Sequence, residues 1–156
     1  MKKIISRSLL VLISGLTLVL YSCTPQTCFD ETESLLKASF YDYKLKTKLA
    51  PDTVTMYGLN SETNKIYENA LKLEPALIPL NSSADSCVII IRINGINDTV
   101  TFKYTSYPHL ISKECGYTFY HNLDTNRIFT KHIIDSIHIK TGLITTLNGE
   151  NIQIYY

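Results

Sequence analysis

The stretch "SCVIIIRINGINDTVTFKY", residues 86–104, places two apolar segments on either side of an Asn-Gly pair. The first segment, 86–93, is a continuous apolar run, which is typical of a central strand buried on both faces. In the second, apolar side chains alternate with Thr and Lys, at Val100, Phe102 and Tyr104. Because Asn94-Gly95 tolerates the positive φ values of a tight turn, the stretch predicts a β-hairpin. Ile96 and Asn97 either belong to the second strand or lengthen the loop.

Six further segments carry strand-like patterns separated by turn residues: 36–43, 52–59, 76–81, 116–123, 137–141 and 151–156. In the first of them Leu36, Ala38 and Phe40 share one face. The stretch from Lys65 to Pro75 is less regular and predicts a short helix or a loop, and Asn148-Gly149 predicts another turn. With about eight strands and no sustained helical period, the chain is expected to be all-β, as an antiparallel sandwich or a partly open barrel that follows an N-terminal signal helix.

Residues 1–22 have the parts of a secretory signal. Lys2, Lys3 and Arg7 precede an uncharged core from residue 9 to residue 21, which is shorter than the roughly 20 apolar residues of a bilayer span. The motif "LYSC" (20–23) resembles the lipobox of bacterial lipoproteins. In that family the peptide is cut before the cysteine, whose thiol carries diacylglycerol. The resemblance implies a signal peptide over 1–22 and lipid attachment at Cys23. The polar residues that follow predict a tether over 23–34, and the strand patterns predict a β-rich domain over 35–156.

Removal of 22 of the 156 residues leaves 134, the size of one ordinary domain. This part retains twelve basic and fourteen acidic residues, a net charge of −2. Without a basic patch or a charged tail, the composition argues against a nucleic-acid partner.

Three cysteines remain after Cys23: Cys28, Cys87 and Cys115. Exported compartments are oxidising, so a disulfide is expected. A Cys28–Cys115 bridge closes a loop of about 88 residues, worth roughly 4.6 kcal/mol on the chain-entropy estimate. A pair that uses Cys87, or no bridge at all, stays open, since sequence does not fix connectivity.

Several short motifs, taken in their order along the chain, resemble a family of small Bacteroidota lipoproteins catalogued as a domain of unknown function. They are the lipobox with a cysteine shortly after it, "FYD" (40–42), "PLN" (79–81) and "ISKECGY" (111–117). The resemblance implies the Cys28–Cys115 pairing and marks Cys87 as an extra thiol. It implies no activity.

Catalytic and metal chemistry find little support in the sequence. There is no CxxC, HxxxH or GxSxG motif. His132 and His138 are six residues apart, about 20 Å in an extended strand, which is too far to share an ion. A dyad of Cys115 with His109, His121 or His132 requires a free thiol. We therefore expect no catalytic residue, no metal and no cofactor, and an enzyme built from scattered Cys and His residues is the less favoured alternative.

Glycan binding is a second alternative, because β-sandwiches often bind sugars through aromatic side chains. The chain has no Trp but offers several tyrosines: Tyr41, Tyr43, Tyr104, Tyr117, Tyr120, Tyr155 and Tyr156. This alternative predicts contiguous exposed rings on one sheet face.

Three triplets match the Asp-Ser/Thr-aliphatic pattern of Bacteroidota protein O-glycosylation, with their hydroxyls at Thr53, Thr99 and Ser136. Asp in a turn followed by a Thr-Val strand start accounts for the same pattern structurally. O-glycosylation at these three hydroxyls remains a hypothesis.

Together these features predict a non-enzymatic lipoprotein, held to the lipid bilayer through acylated Cys23, that acts as a binding or structural component of the bacterial envelope. Its partner is expected to be an envelope protein or a glycan. Thr24 follows the cysteine without an acidic cluster, which favours the outer membrane, with the domain facing the periplasm.

Overall fold

The computed structural model describes residues 28–147 and 149–156. The predicted signal helix, Cys23 and Asn148 of the predicted Asn148-Gly149 turn lie outside the described residues. Within the described ranges, no helix is long and apolar enough to cross a membrane.

In the described part of the chain ten β-strands form two sheets, so the predicted all-β class is confirmed. The larger sheet has six antiparallel strands, in the spatial order β3 (Lys65–Leu71), β2 (Thr53–Gly58), β5 (Ser86–Ile93), β6 (Ile96–Ser112), β7 (Gly116–Phe129) and β9 (Leu143–Ile144). The smaller sheet has four, in the order β4 (Ala76–Ile78), β1 (Leu36–Tyr41), β10 (Ile152–Tyr155) and β8 (Ser136–Ile139). One sheet curves into a half-barrel.

The smaller sheet departs from a purely antiparallel pattern, because β1 and β10, the first and last strands, pair in parallel. Asn151, which precedes β10, holds this junction. Its side chain accepts a hydrogen bond from the Lys37 amide at 3.0 Å and donates to the carbonyls of Thr141 and Leu143 at 3.1 and 3.2 Å. A buried amide that satisfies three backbone groups fixes where the C-terminal strand enters the sheet.

A single hydrophobic core lies between the sheets. Alternate residues of both sheets point inward, as strand periodicity requires. The smaller sheet contributes Leu36, Ala38, Phe40, Ile152 and Ile154, and the larger one Val54, Met56, Ile91, Ile93, Val100 and Phe102. The predicted inward face of 36–43 and that of 98–104 are therefore both confirmed.

The hairpin predicted at Asn94-Gly95 is also confirmed. Ile93 pairs directly with Ile96, so the loop has two residues. Asn94 and Gly95 have φ values of 48° and 90°, and positive φ at both positions is what a type I′ turn requires. The second strand therefore starts at once rather than after a longer loop.

Strand β5 is central, as predicted, but only one of its faces is fully buried. Ile89, Ile91 and Ile93 point into the core, whereas Ile90 is half-buried and Arg92 is exposed on the other face. The smaller sheet covers only one side of the larger sheet. The continuous apolar run of β5 therefore does not indicate that both of its faces are buried.

The prediction of a short helix or loop from Lys65 to Pro75 is wrong over its first seven residues, which form the edge strand β3. Its pairing with β2 shifts register twice, and each shift places an extra residue on β3. Asn69 has a φ of 46° near the first shift. Bulges of this kind break the period-two alternation from which strands are recognised.

Strands β6 and β7 form a hairpin whose far half extends beyond the core. Pairing runs from Val100 with Phe129 to Ser112 with Gly116. β7 is longer than the predicted 116–123, because a register shift after Tyr104–Leu123 interrupts its pattern.

Candidate functional site

The start of the described chain is fastened to the far end of the β6–β7 hairpin. Cys28 and Cys115 form a disulfide, with their Cα atoms 4.8 Å apart, and they are 87 residues apart in the sequence. The pairing expected from the sequence is therefore present. Its consequence is that the residues before Leu36 are held against the hairpin by a covalent bond.

Hydrogen bonds continue this attachment along the first half of β7. The Thr118 hydroxyl donates to the Thr32 carbonyl at 2.7 Å, and the Ser34 hydroxyl donates to the Phe119 carbonyl. The segment 28–34 thus follows the edge of the hairpin as an ordered strap, although it contains no strand.

A second group of polar and aromatic side chains lies on the outer face of the smaller sheet, and we call it the tyrosine face. It consists of Tyr41, His138, Gln153 and Tyr155, together with the flanking Lys46, Lys48, Lys140 and Glu150. These side chains come from β1, β8, β10 and adjacent loops, so tertiary pairing is what brings them together.

Ring contacts organise the centre of the tyrosine face. Tyr41 and Tyr155 are register partners, and their ring centroids are 5.2 Å apart at a tilt of 32°. His138 meets Tyr155 edge to face at the same distance. The Lys46 ammonium lies 4.7 Å from the Tyr155 ring and 4.0 Å from the Tyr43 ring. A ligand that stacks on Tyr155 must therefore compete with a cation already placed there.

Glu150 is the charged centre of the same face. Its carboxylate accepts hydrogen bonds from Tyr41 at 2.8 Å, Lys140 at 2.7 Å and Gln153 at 3.3 Å. Burial alone would raise the pKa of Glu150, but these hydrogen bonds outweigh it and lower that pKa. A carboxylate that is ionised and fully engaged can orient hydrogen-bonding groups, but it is poorly suited to general acid-base work near neutral pH.

A cavity of about 420 Å³ adjoins this carboxylate, lined by Lys37, Ser39, Lys48, Pro75, Leu77, Gly149 and Glu150. Its walls combine aliphatic surface with two lysines and one carboxylate. That mixture suits a polar ligand with an apolar face, such as a sugar ring.

Asp98 forms the most fully satisfied buried polar site of the described chain, and no sequence pattern predicts this site. Its carboxylate accepts hydrogen bonds from the Thr130 hydroxyl at 2.5 Å and from the amides of Ile133 and Ile134 at 2.8 Å each. His132 contributes its amide and its Nδ1 atom, both 2.9 Å from Oδ1. Burial alone would raise the pKa of Asp98, but these bonds lower it to about 2. The site fastens the loop before β8 to β6.

The four histidines occupy separate environments. His121 is 3% exposed and its Nδ1 atom lies 2.9 Å from the Ser106 hydroxyl. Burial lowers the pKa of His121. His109 stacks on Tyr120 with centroids 4.0 Å apart, His132 contacts Asp98, and His138 contacts Tyr155. The described residues contain no group of three or more potential metal ligands from Cys, His, Asp and Glu.

The cysteines bear on the alternative of a Cys-His dyad. Cys115 is in a disulfide, so its sulfur is not available as a nucleophile. Cys87 is the one described cysteine without a bridge, and burial raises the pKa of its thiol to about 11. A thiol with that pKa is almost entirely protonated at neutral pH and is a weak nucleophile.

The hydroxyls of the three candidate O-glycosylation triplets all lie at or near strand starts and are half-buried: Thr53, Thr99 and Ser136. The preceding carboxylates differ. Asp52 and Asp135 are exposed, whereas Asp98 is 1% exposed. An enzyme that must read the aspartate on the folded protein could therefore reach Thr53 and Ser136 but not Thr99.

The tyrosines proposed for glycan binding do not form one surface. Tyr41 and Tyr155 lie on the tyrosine face, with Tyr43 next to them. Tyr104 is in the core, while Tyr117 and Tyr120 belong to the far half of the β6–β7 hairpin. Only the first group meets the expectation of contiguous rings on one sheet face.

Fold and site together define a small two-sheet β protein that combines a strapped hairpin with a polar aromatic face. The matching family model is described as "Family of unknown function (DUF6452)" and covers residues 53–156. The chain belongs to this family, which confirms the expected domain of unknown function. No curated protein and no solved structure matches the chain significantly.

Proposed function

We propose that this protein is a lipoprotein of the bacterial cell envelope, attached to the outer membrane through acylated Cys23 and facing the periplasm. Its β domain serves there as a non-enzymatic binding or structural component. The observation that carries the proposal is the Cys28–Cys115 disulfide, which lies five residues after the candidate acylation site. Such a bridge persists in an oxidising, exported compartment, which is where the signal and the "LYSC" motif would deliver the chain.

Intact-mass measurement of the full chain, made in a bacterium that processes lipoproteins, tests the anchor. We expect a polypeptide without its first 22 residues that carries fatty-acyl mass and fractionates with membranes. Cys23→Ala should abolish both properties, while the matched control Cys87→Ala should keep them. Recovery of a chain with residues 1–22 intact, or of a trimmed chain without fatty acid, would refute the proposal.

Thiol labelling of the native protein tests the enzyme alternative. If Cys115 is bridged and Cys87 is protonated, iodoacetamide at pH 7.5 should modify neither residue at an appreciable rate until the protein is reduced and unfolded. Rapid alkylation of native Cys115 would revive the enzyme alternative.

The tyrosine face favours glycan recognition as the second candidate function. The paired Tyr41 and Tyr155 rings offer aromatic surface, and the groups around Glu150 and the adjoining cavity offer hydrogen bonds. A sugar requires both kinds of contact. Binding of soluble peptidoglycan fragments and neutral oligosaccharides, followed by calorimetry, tests it. Tyr155→Ala should remove binding, while Tyr117→Ala, on the hairpin, should preserve it. Equal loss in both variants, or no binding by the unaltered protein, would reject a glycan site on this face.

A further inference from the structure

We infer that the far end of the β6–β7 hairpin docks on the surface of the bilayer that holds Cys23, so that the domain stands on the membrane rather than floating from a free tether. The inference rests on the lipid anchor of the proposed function. It adds a second contact with the membrane, made by side chains of the folded domain.

Chain length gives the first step. Five residue steps separate Cys23 from Cys28, and even a fully extended chain spans no more than about 18 Å over that number. The disulfide joins Cys28 to Cys115, at the turn between β6 and β7. Since the Cα atoms of Cys28 and Cys115 are 4.8 Å apart, an acyl group on Cys23 would keep the end of the hairpin within about 23 Å of the acylated residue.

Exposed apolar side chains gather at the same end, and we call them the distal patch. It consists of Phe29 (92% exposed), Leu110 (49%), Tyr117 (73%) and Phe119 (42%). Leu110 and Tyr117 are directly paired across the hairpin, and Phe119 lies two residues further along the same face. Phe29 follows the bridged Cys28.

The strand pattern explains why these side chains are exposed. Leu110, Tyr117 and Phe119 continue the hairpin face that buries Tyr104 and Leu123 in the core, but they are themselves exposed. Although the strap bonds to the backbone of Phe119, the outer part of this face is therefore exposed apolar surface. A Tyr ring suits the boundary between headgroups and acyl chains, because its ring is apolar and its hydroxyl is polar. Phe and Leu side chains can bury in the apolar side of the same boundary.

Charge identifies the kind of lipid surface. In the two segments that carry the patch, residues 28–34 and 107–121, the acidic residues are Asp30, Glu31, Glu33 and Glu114, and Lys113 is the one lysine or arginine. This acidic rim would repel an anionic membrane. The contact is therefore an apolar one with zwitterionic headgroups such as phosphatidylethanolamine, and added salt should strengthen it or leave it unchanged.

Because the chain contains no Trp, a single introduced indole reports the depth of one position. The acylated full-length protein carrying Tyr117→Trp is reconstituted into vesicles of phosphatidylethanolamine and phosphatidylcholine with bromine in the upper acyl chains. The matched control is Ile128→Trp, at a similarly exposed position (63%) near the other end of β7, about 30 Å away along the strand. Phe29→Trp is a second reporter within the patch.

We expect the indoles at 117 and 29 to lose about half or more of their fluorescence to brominated lipid, as interfacial aromatic groups should, and the indole at 128 to lose almost none. If the protein carries acyl chains and floats with the vesicles while positions 117 and 29 stay unquenched, docking is refuted and the anchor stands. Equal quenching at 117 and 128 also refutes it. If the patch is instead shielded by a second copy or a protein partner, it will stay unquenched and cross-link to that protein. A chain without acyl groups overturns the anchor and the docking together.

Discussion

Asp98 and Thr130 lie 32 residues apart and are joined by a hydrogen bond of 2.5 Å from the threonine hydroxyl to Asp98 Oδ1. The Thr130 hydroxyl also accepts a hydrogen bond from the Thr99 amide at 2.8 Å. The buried Asp98 carboxylate also accepts hydrogen bonds from three consecutive backbone amides of the loop between β7 and β8, those of residues 132–134. One side chain of β6 therefore satisfies several buried donors of this loop.

Replacement of this carboxylate should be costly. We expect Asp98→Asn to lower the free energy of unfolding by about 2–4 kcal/mol, since the amide group turns one acceptor oxygen into a donor that faces backbone N–H groups. Urea unfolding at pH 7 measures the loss. The control Asp135→Asn, at an exposed carboxylate on the same loop, should stay within about 0.5 kcal/mol of the unaltered protein. Equal effects of the two substitutions would show that the buried site contributes nothing special.

The same site predicts an acid dependence. The pKa of Asp98 is about 2 in the folded protein, against about 3.9 for an unfolded aspartate. The folded-state pKa is the lower one, so the contribution is fully present above pH 4 and is lost as the pH falls towards 2. At about 1.36 kcal/mol per pKa unit, it amounts to about 2–3 kcal/mol. The gap in unfolding free energy between the unaltered protein and Asp98→Asn should therefore narrow between pH 5 and pH 2.5, and a constant gap would contradict the assignment.

Strands with a regular alternation of apolar and polar residues could be predicted from the sequence. Strands that contain bulges, or that exist only through pairing with a distant strand, could not. The alternation of apolar side chains predicted the inward residues of β1 and β6, and Asn94-Gly95 predicted the turn between β5 and β6. Each of these patterns depends only on residues close in the sequence. β3 was hidden by two bulges, and the two-residue β9 is defined only by its pairing with β7. Of the candidate sites, a disulfide was expected from the predicted export, and the family resemblance implied the Cys28–Cys115 pairing. The Asp98 site and the tyrosine face were not, because each assembles side chains from segments that pairing brings together.

The disulfide should stabilise the domain strongly. A Cys28→Ser/Cys115→Ser variant should lose about 4 kcal/mol of unfolding free energy, the chain-entropy estimate for a loop of this length. Adding a reductant to the unaltered protein should lower its unfolding temperature, because reduction removes the same bridge. The control Cys87→Ser should respond to reductant like the unaltered protein. If reductant leaves the unfolding temperature unchanged, the bridge is either absent or energetically neutral.

His121 should make stability depend on pH in the mildly acidic range. Burial holds the pKa of His121 below its usual value, so the unfolded chain binds a proton near pH 6.5 before the folded protein does. Stability is therefore highest above that pH and declines as the pH falls below it. His121→Gln keeps a hydrogen-bonding side chain next to Ser106 but cannot titrate. Its unfolding free energy should fall less between pH 7.5 and pH 5 than that of the unaltered protein, and parallel curves would argue against a buried neutral imidazole.

A Gly→Ala substitution, which adds one methyl group, tests whether the turn between β5 and β6 needs a positive φ at Gly95. Gly95 has a φ of 90°, and a Cβ atom placed there would meet nothing within 4 Å. The cost of Gly95→Ala is therefore conformational rather than steric, about 1 kcal/mol or somewhat more. Gly149 is the matched control, because its surroundings are equally open but its φ is outside the left-handed region. Gly149→Ala should be neutral or slightly stabilising in urea unfolding, since alanine restricts the unfolded chain. Equal effects of the two substitutions would mean that the Asn94-Gly95 turn does not hold its positive φ in solution.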